Sequence, residues 1–227
     1  YLLAYTSHTK ELNFSWKVYQ ERVNNELVNT LGNFVYRTLF FAHKEFSGIP
    51  DLPTDDAIFT EIKKSLSAID AAMKEYEFKG AIDSMMALAA FGNNYIQTNA
   101  PWKLIKSDRD AAMQVIRNCL TLVKALALLT EPVMPQKAQN IWEALGNSDA
   151  ISGHSIQDAL TELEGHPLPS PKPLFEKLDD TLIAELDALL AKRVEEASRK
   201  PVKQDIISIE DFSRIEMRIG KVISAES

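Results

Sequence analysis

Apolar residues fall at helical spacing along most of the chain. Over 16–46 they recur as Val18, Val23, Leu27, Leu31, Val35, Leu39 and Phe46, and Ser47-Gly48-Ile49-Pro50 then stops the pattern. Thr54 is placed to cap the next helix. Ile58, Ile62, Leu66, Ile69, Met73 and Tyr76 follow at steps of three and four, which makes one amphipathic face. Gly80 opens a third helix over 81–98, rich in Ala and Met. Ser107-Asp108-Arg109-Asp110 resembles a capping box and starts a fourth over 108–130. The centre of that helix, 120–129, is apolar apart from Thr121 and Lys124, and this predicts the central helix of a bundle. Pro135 suits the first position of a fifth helix, closed by Gly146, with Ile141, Trp142 and Leu145 turned inward.

Downstream the pattern changes. Residues 147–173 read as loop-rich, with one short helix near 155–163. His166-Pro-Leu-Pro-Ser-Pro-Lys-Pro173 reads as an extended strap, since proline has no backbone N–H and a fixed φ. A sixth helix over 174–198 carries Leu178, Leu182, Ile183, Leu186, Leu189, Leu190 and Val194, and 199–204 is a linker. Ser208-Ile-Glu-Asp211 is a second capping box on a short helix. The stretch 214–224 alternates, with Ile215, Met217 and Ile219 apolar, and reads as one β-strand with a bulge at Gly220. A lone strand is not stable. The chain, which begins with Tyr1, is therefore expected to be a fragment that stops inside a second domain. The fold class expected is all-α.

Composition narrows the classes. Hydrophobic residues make up 45% of the 227 and charged residues 25%, as in ordinary globular proteins. No apolar run approaches the roughly 18 residues a bilayer span needs, and no signal peptide opens the chain, so no membrane partner is expected. The single Cys119 excludes an internal disulfide and fits a reducing, cytoplasmic setting. A net charge of -7 argues against broad nucleic-acid binding and against a DNA partner, so any RNA contact must be local. Lys192, Arg193, Arg199, Lys200 and Lys203 read as a solvated helix end. Nucleotide-loop, nucleophile-elbow and zinc-protease motifs are absent from the sequence, and His8, His43, His154 and His166 are scattered without metal-ligand spacing. No catalytic residue and no metal site is expected.

Two features stand apart. In Tyr95-Ile-Gln-Thr-Asn-Ala-Pro-Trp-Lys103, Pro101 ends a helix and leaves Trp102 on a short connection. One reading makes Trp102 a plug between helices; the other makes it a stacking face. The second feature is Asn25, Asn29, Asn33 and Arg37, four residues apart on the first helix, which places them on one ridge. Asn is a poor helix former, so the ridge carries a propensity cost. It reads either as a solvated stripe or as a hydrogen-bonding strip. Amide and guanidinium groups beside an aromatic plane are what single-stranded RNA loops are read with.

At these residues the chain resembles methionyl-tRNA synthetases from the anticodon-binding domain onward. The resemblance runs through Leu12-Asn-Phe-Ser-Trp16, Glu21-Arg-Val-Asn-Asn-Glu-Leu-Val28, Leu31-Gly-Asn-Phe-Val-Tyr-Arg37, Ala100-Pro-Trp102 and Pro132-Val-Met-Pro135 with Ile141-Trp142. Residues 207–225 are similar to the opening of the tRNA-binding OB-fold domain that some members carry. The resemblance implies an anticodon-binding helix bundle of class I synthetase type, with a long C-terminal helix and a truncated OB-fold start. It divides the chain into 1–14, the tail of the connection from the catalytic domain; 15–165, the bundle; 166–205, strap, long helix and linker; and 206–227, the OB start. It implies that Trp102 stacks on the first anticodon base, a cytosine, while Asn33 and Arg37 hydrogen-bond to it. Asn29, Asn93, Asn94 and Tyr95 are weaker RNA-binding candidates. The implied partner is the tRNA-Met anticodon stem-loop, with a homodimer formed through the complete C-terminal domain of the parent. The family's catalytic signatures and zinc knuckle are missing, so the fragment alone is expected to be inactive and without cofactor. ATP, and zinc where the parent holds it, would bind outside this chain. Two alternatives remain: a helical protein-docking module that binds no RNA, its sixth helix exposing Leu182, Leu186 and Leu190, and the anticodon domain of a related class I synthetase.

Overall fold

The apolar step over 16–46 forms one helical run, but its pitch changes midway. In the computed structural model, which describes residues 1–5, 14–199 and 208–215, a short α1 (Leu2–Tyr5) precedes α2 (Trp16–Arg22). Ser15 caps α2, its hydroxyl accepting from the Val18 amide. Val23–Gly32 widens into a π-helical segment, and α3 (Asn33–Phe46) returns to the α ladder. The Thr30 hydroxyl follows the wider coil and donates to the Asn25 carbonyl five residues back. Gly32 closes the segment, where a Cβ would stand 2.9 Å from the Leu27 carbonyl oxygen. Such stretches are rare and frequently lie at functional sites.

The amphipathic pattern after Asp55 becomes α4 (Asp56–Lys74), and α5 (Phe78–Asn99) packs along it. After the one-turn α6 (Pro101–Leu104) comes α7 (Arg109–Thr130), around which α3, α4, α5, α6 and α8 (Pro135–Ala144) assemble. From 115 to 130 every residue of α7 is buried. By length and composition alone α7 could cross a membrane, but its apolar surface is used inside the bundle. Leu120, Leu122 and Leu126 are fully buried, each worth about 1.5–3 kcal/mol relative to exposure.

The polar residues of α7 hold loops. Arg117 is 1% exposed and donates to the Pro50 and Leu163 carbonyls at 3.1 and 2.7 Å and to Glu162 at 2.7 Å. Glu162 also accepts from the Thr54 amide and hydroxyl. Lys124 donates to the Thr161 hydroxyl at 2.6 Å. Thr54 is thus drawn into this network, bonding Thr121 as well, and the N-cap expected of it falls to Asp55, which makes no side-chain cap bond.

The strap beginning at His166 is extended as expected, with its His166 carbonyl accepting from Ile49 and Pro167 bridging to Gly48. The last long helix starts later than its apolar pattern suggests, as α9 (Asp180–Arg199). Asn24 explains the delay: its side chain donates to the Leu178 carbonyl at 2.8 Å and accepts from the Leu178 amide at 2.9 Å. That amide pair occupies backbone groups a helix would need, and Asp179 then accepts from the Leu182 amide to start α9.

The chain separates into two compact units, Tyr1–Ala184 and Glu185–Ser227. In the second, Leu189, Leu190 and Val194 are exposed, and α10 (Ile209–Ser213) is capped by Ser208 as its sequence predicts. The strand expected over 214–224, with Gly220, lies outside the described residues except for Arg214 and Ile215, as do Lys200, Lys203 and His8.

Candidate nucleic-acid interface

Trp102 owes its position to a backbone turn. Ala100 adopts a left-handed conformation, φ 41° and ψ 60°, while its amide still donates to Ile96 at 3.0 Å. For a non-glycine residue this costs about 1–2 kcal/mol. Pro101 follows as the first residue of α6 and is buried. Trp102, next in line, is half-buried: its ring rests on the core and part of it meets solvent.

α3 carries Asn33 and Arg37 to the same place, one turn apart. The Arg37 guanidinium carbon stands 5.1 Å from the centre of the Trp102 ring, a cation–π contact. Arg37 also donates to the Gln97 side-chain oxygen at 3.1 Å. Asn33 donates to the Asn93 side-chain oxygen at 3.2 Å. Asn93 in turn donates to the Thr30 and Ala89 carbonyls at 2.8 and 3.2 Å. Two four-residue steps therefore face each other, Asn33 and Arg37 on α3, Asn93 and Gln97 on α5. Gly92 permits this approach, because a Cβ there would lie 2.4 Å from the Phe34 ring.

The other candidates separate. Asn25 and Asn29 are exposed on the π segment and line a shallow groove with Lys17, Lys177 and Asp180. Asn94 is exposed beside Asn93. Tyr95 points the other way: its hydroxyl accepts from Asn118 at 2.8 Å, and Asn118 also donates to Asp55 at 2.7 Å. Burial pushes the Tyr95 phenol up from its ordinary value, against the Asn118 bond. Tyr95 thus ties α5 to α7. Gln97 and Gly92 were not singled out from the sequence. The signal for Gln97 was its four-residue step from Asn93, and for Gly92 a glycine inside an otherwise good helix.

The connection after Trp102 carries charge of both signs, with Asp108 and Asp110 exposed beside its cations. Lys103 and Lys106 are exposed on the connection after Trp102, and Arg109 stands 5.0 Å from the Phe46 ring. Among the described residues no cluster of His, Cys, Asp or Glu is arranged to hold a metal ion.

The bundle thus carries Trp102, with Arg37 against its ring and Asn33 one turn along α3, at one place on its surface. Residues 48–193 match the family described as the anticodon binding domain of methionyl tRNA ligase, and residues 1–39 match class I tRNA synthetases (M). The chain belongs to this methionyl-tRNA ligase anticodon-binding family. Trp102 falls in the first match, Asn33 and Arg37 in the second. The chain is 59% identical over its whole length to the methionine–tRNA ligase of Methanoregula boonei and 55% to that of Methanoculleus marisnigri, covering 34% of each. It spans about a third of the length of these relatives. The fold is similar to apo methionyl-tRNA synthetase of Mycobacterium tuberculosis, with a TM-score of 0.70 and 23% identity over 78% of this chain and 38% of that one.

Proposed function

We propose that the chain is the anticodon-reading part of a cytoplasmic methionine–tRNA ligase, which joins methionine to its tRNA with ATP, and that it reads the CAU anticodon. Asn33, Arg37 and Trp102 take up the first base, a cytosine. The observation that supports this best is the 5.1 Å contact of Arg37 with Trp102, with Asn33 one turn away. Cytosine presents an amino donor beside ring-nitrogen and carbonyl acceptors. Asn33 accepts from the amino group and Arg37 donates to the acceptors, exchanging its contact with the ring for the base edge. Stacking on Trp102 contributes about 1–3 kcal/mol, and a well-placed pair of hydrogen bonds discriminates by about 1–3 kcal/mol. The amino-acid-activating chemistry, its ATP and any zinc belong to other parts of the parent, and a homodimer would form through the complete C-terminal domain.

The test is the affinity of wild type and Trp102→Ala for CAU and UAU anticodon stem-loops. Wild type should prefer CAU, and Trp102→Ala should lose about five- to 150-fold in CAU affinity, the range that stacking energy implies. Equal affinities in all four combinations would instead favour a protein-docking helix, a reading that rests on the exposed Leu182 and Leu190 of α9.

A further inference from the structure

The two ends of an Asn side chain have opposite chemistry: Oδ1 accepts and Nδ2 donates. Which end Asn33 turns to solvent decides which base edge it can read. That choice is made at the backbone. Asn93 Nδ2 lies 2.8 Å from the Thr30 carbonyl oxygen and 3.2 Å from the Ala89 carbonyl oxygen. A carbonyl has no proton to give, so the end of Asn93 that faces these two must be its NH2. Asn93 Oδ1 is thereby turned toward Asn33 and accepts from Asn33 Nδ2 at 3.2 Å. Asn33 must donate inward, which leaves its Oδ1 as the end offered outward. Asn33 is exposed and Asn93 half-buried, so the inner amide orients the outer one.

We infer that Asn93 sets the hydrogen-bond polarity of Asn33, so that the site accepts a base presenting an amino group at that edge and rejects one presenting a carbonyl. The inference rests on the proposed reading of cytosine at this site. Cytosine offers its N4 amino group to Asn33 Oδ1. Uracil in the same pose sets O4 against Oδ1, acceptor against acceptor. Asn33 could relieve the clash only by flipping, which would set its Oδ1 against Asn93 Oδ1. If Asn93 flipped as well, its oxygen would face two backbone carbonyls. The share of uracil's rejection made at Asn33 is therefore anchored in the Thr30 and Ala89 carbonyls, which no side-chain rotation can reverse, while the Arg37 donors facing the uracil N3–H add a share of their own. Arg37 has donors only and needs no such control. Asn93 touches no base and acts as a positioning residue.

The test measures CAU and UAU stem-loop affinities for wild type, Asn93→Ala, Asn93→Ser, Asn93→Asp, Asn33→Asp and the Asn33→Asp/Asn93→Ala double variant. With Asn93→Ala, Asn33 is free to flip, and the CAU:UAU ratio should fall roughly tenfold, the size of one good base contact, mainly through a gain in UAU binding. A merely structural loss would weaken both ligands. Asn93→Ser is too short to reach Asn33 but can still bond the carbonyl four residues back. It should show the same loss of ratio, and it serves if Asn93→Ala does not fold. Asn93→Asp sets a carboxylate oxygen against the Thr30 and Ala89 carbonyls in either orientation, so it loses the anchor and should not keep the ratio. Asn33→Asp can only accept, so adding Asn93→Ala to it should leave the ratio unchanged, which makes a double-mutant cycle. A wild type with no CAU preference would overturn the site itself. A wild-type preference that Asn93→Ala and Asn93→Ser leave intact, or that falls equally in the Asn33→Asp background, would overturn the polarity relay and leave the site standing.

Discussion

A single methyl group at Gly92 tests whether recognition depends on how closely α3 and α5 approach. The Cβ of Gly92→Ala would stand 2.4 Å from Phe34 Cζ and 2.5 Å from Cε1. Ordinary contact begins near 3.4 Å, so ring and methyl must separate by about 1.0 Å (3.4 - 2.4). Phe34 is fully buried, and a close-packed interior gives the ring little room, so the separation falls on the helices. Added to the Asn33–Asn93 and Arg37–Gln97 distances of 3.2 and 3.1 Å, it gives about 4.2 and 4.1 Å, beyond hydrogen-bond reach. Overpacking costs about 1–3 kcal/mol, while replacing a mid-helix glycine with alanine returns about 0.5–1 kcal/mol. The net loss is about 0–2.5 kcal/mol, or up to roughly 10 °C in Tm for a chain of this size. Thermal melting by circular dichroism, run beside CAU and UAU binding, reads both effects. A lower Tm should accompany a CAU:UAU ratio narrowed by about fivefold or more, the loss of part of one base contact. If Gly92→Ala melts at or above wild type and keeps the full ratio, close helix approach does not hold the site together.

Other outcomes follow from the same geometry. Lys103→Ala with Lys106→Ala should weaken CAU and UAU binding alike and flatten the salt dependence by about one to two ions, without changing the ratio, as titrations at several salt concentrations will show. Burial would push the Glu162 carboxyl up, but Arg117 and the Thr54 amide and hydroxyl outweigh it and hold the group below its ordinary 4.5. A depressed carboxylate contributes stability that is present above the ordinary value and lost as pH falls through the folded one. Melting temperature should therefore drop on acidification below about pH 4.5, and Glu162→Gln should make that acid slope shallower. Burial pushes the Cys119 thiol well above its ordinary range, so a thiol reagent at neutral pH should label it only as fast as the chain unfolds, and labelling in the native state would contradict the core packing.

Much of the bundle was legible because helical periodicity follows directly from burial on one face. The nearly unbroken apolar centre of α7 marks a helix that must be covered all round, and Pro135 and Gly146 mark boundaries by their own backbone geometry, whereas the left-handed turn that ends α3 falls on Ser47 and not on Gly48. Thr121 and Lys124 were visible as exceptions, but their partners at Thr54 and Thr161 come from sequence-distant loops. The start of α9 was misplaced because Leu178 continues an apolar pattern while Asn24, over 150 residues away, takes its backbone. The π segment left no trace, since Asn and Leu at four-residue steps suit either ladder. Asn33, Arg37 and Trp102 could be named from residue type, spacing and family resemblance. Tyr95 could not be assigned in the same way: its role depends on which side of α5 faces Asn118.

Each residue of an α-helix turns the chain by about 100°. Across Val23–Gly32 the ladder reaches five residues back instead of four, so the two ends of the 16–46 run differ in phase from those of an unbroken α-helix. That offset lets one rod aim Asn24 at the Leu178 backbone and Asn33 at α5. Removing one residue from the segment would rotate its upstream half by about 100° against its downstream half. Either the docking of 174–179 or the base-reading edge would keep its partner, but not both. The segment works as a phase adjuster, and its length, more than any one side chain in it, fixes how the two ends of the run are aimed.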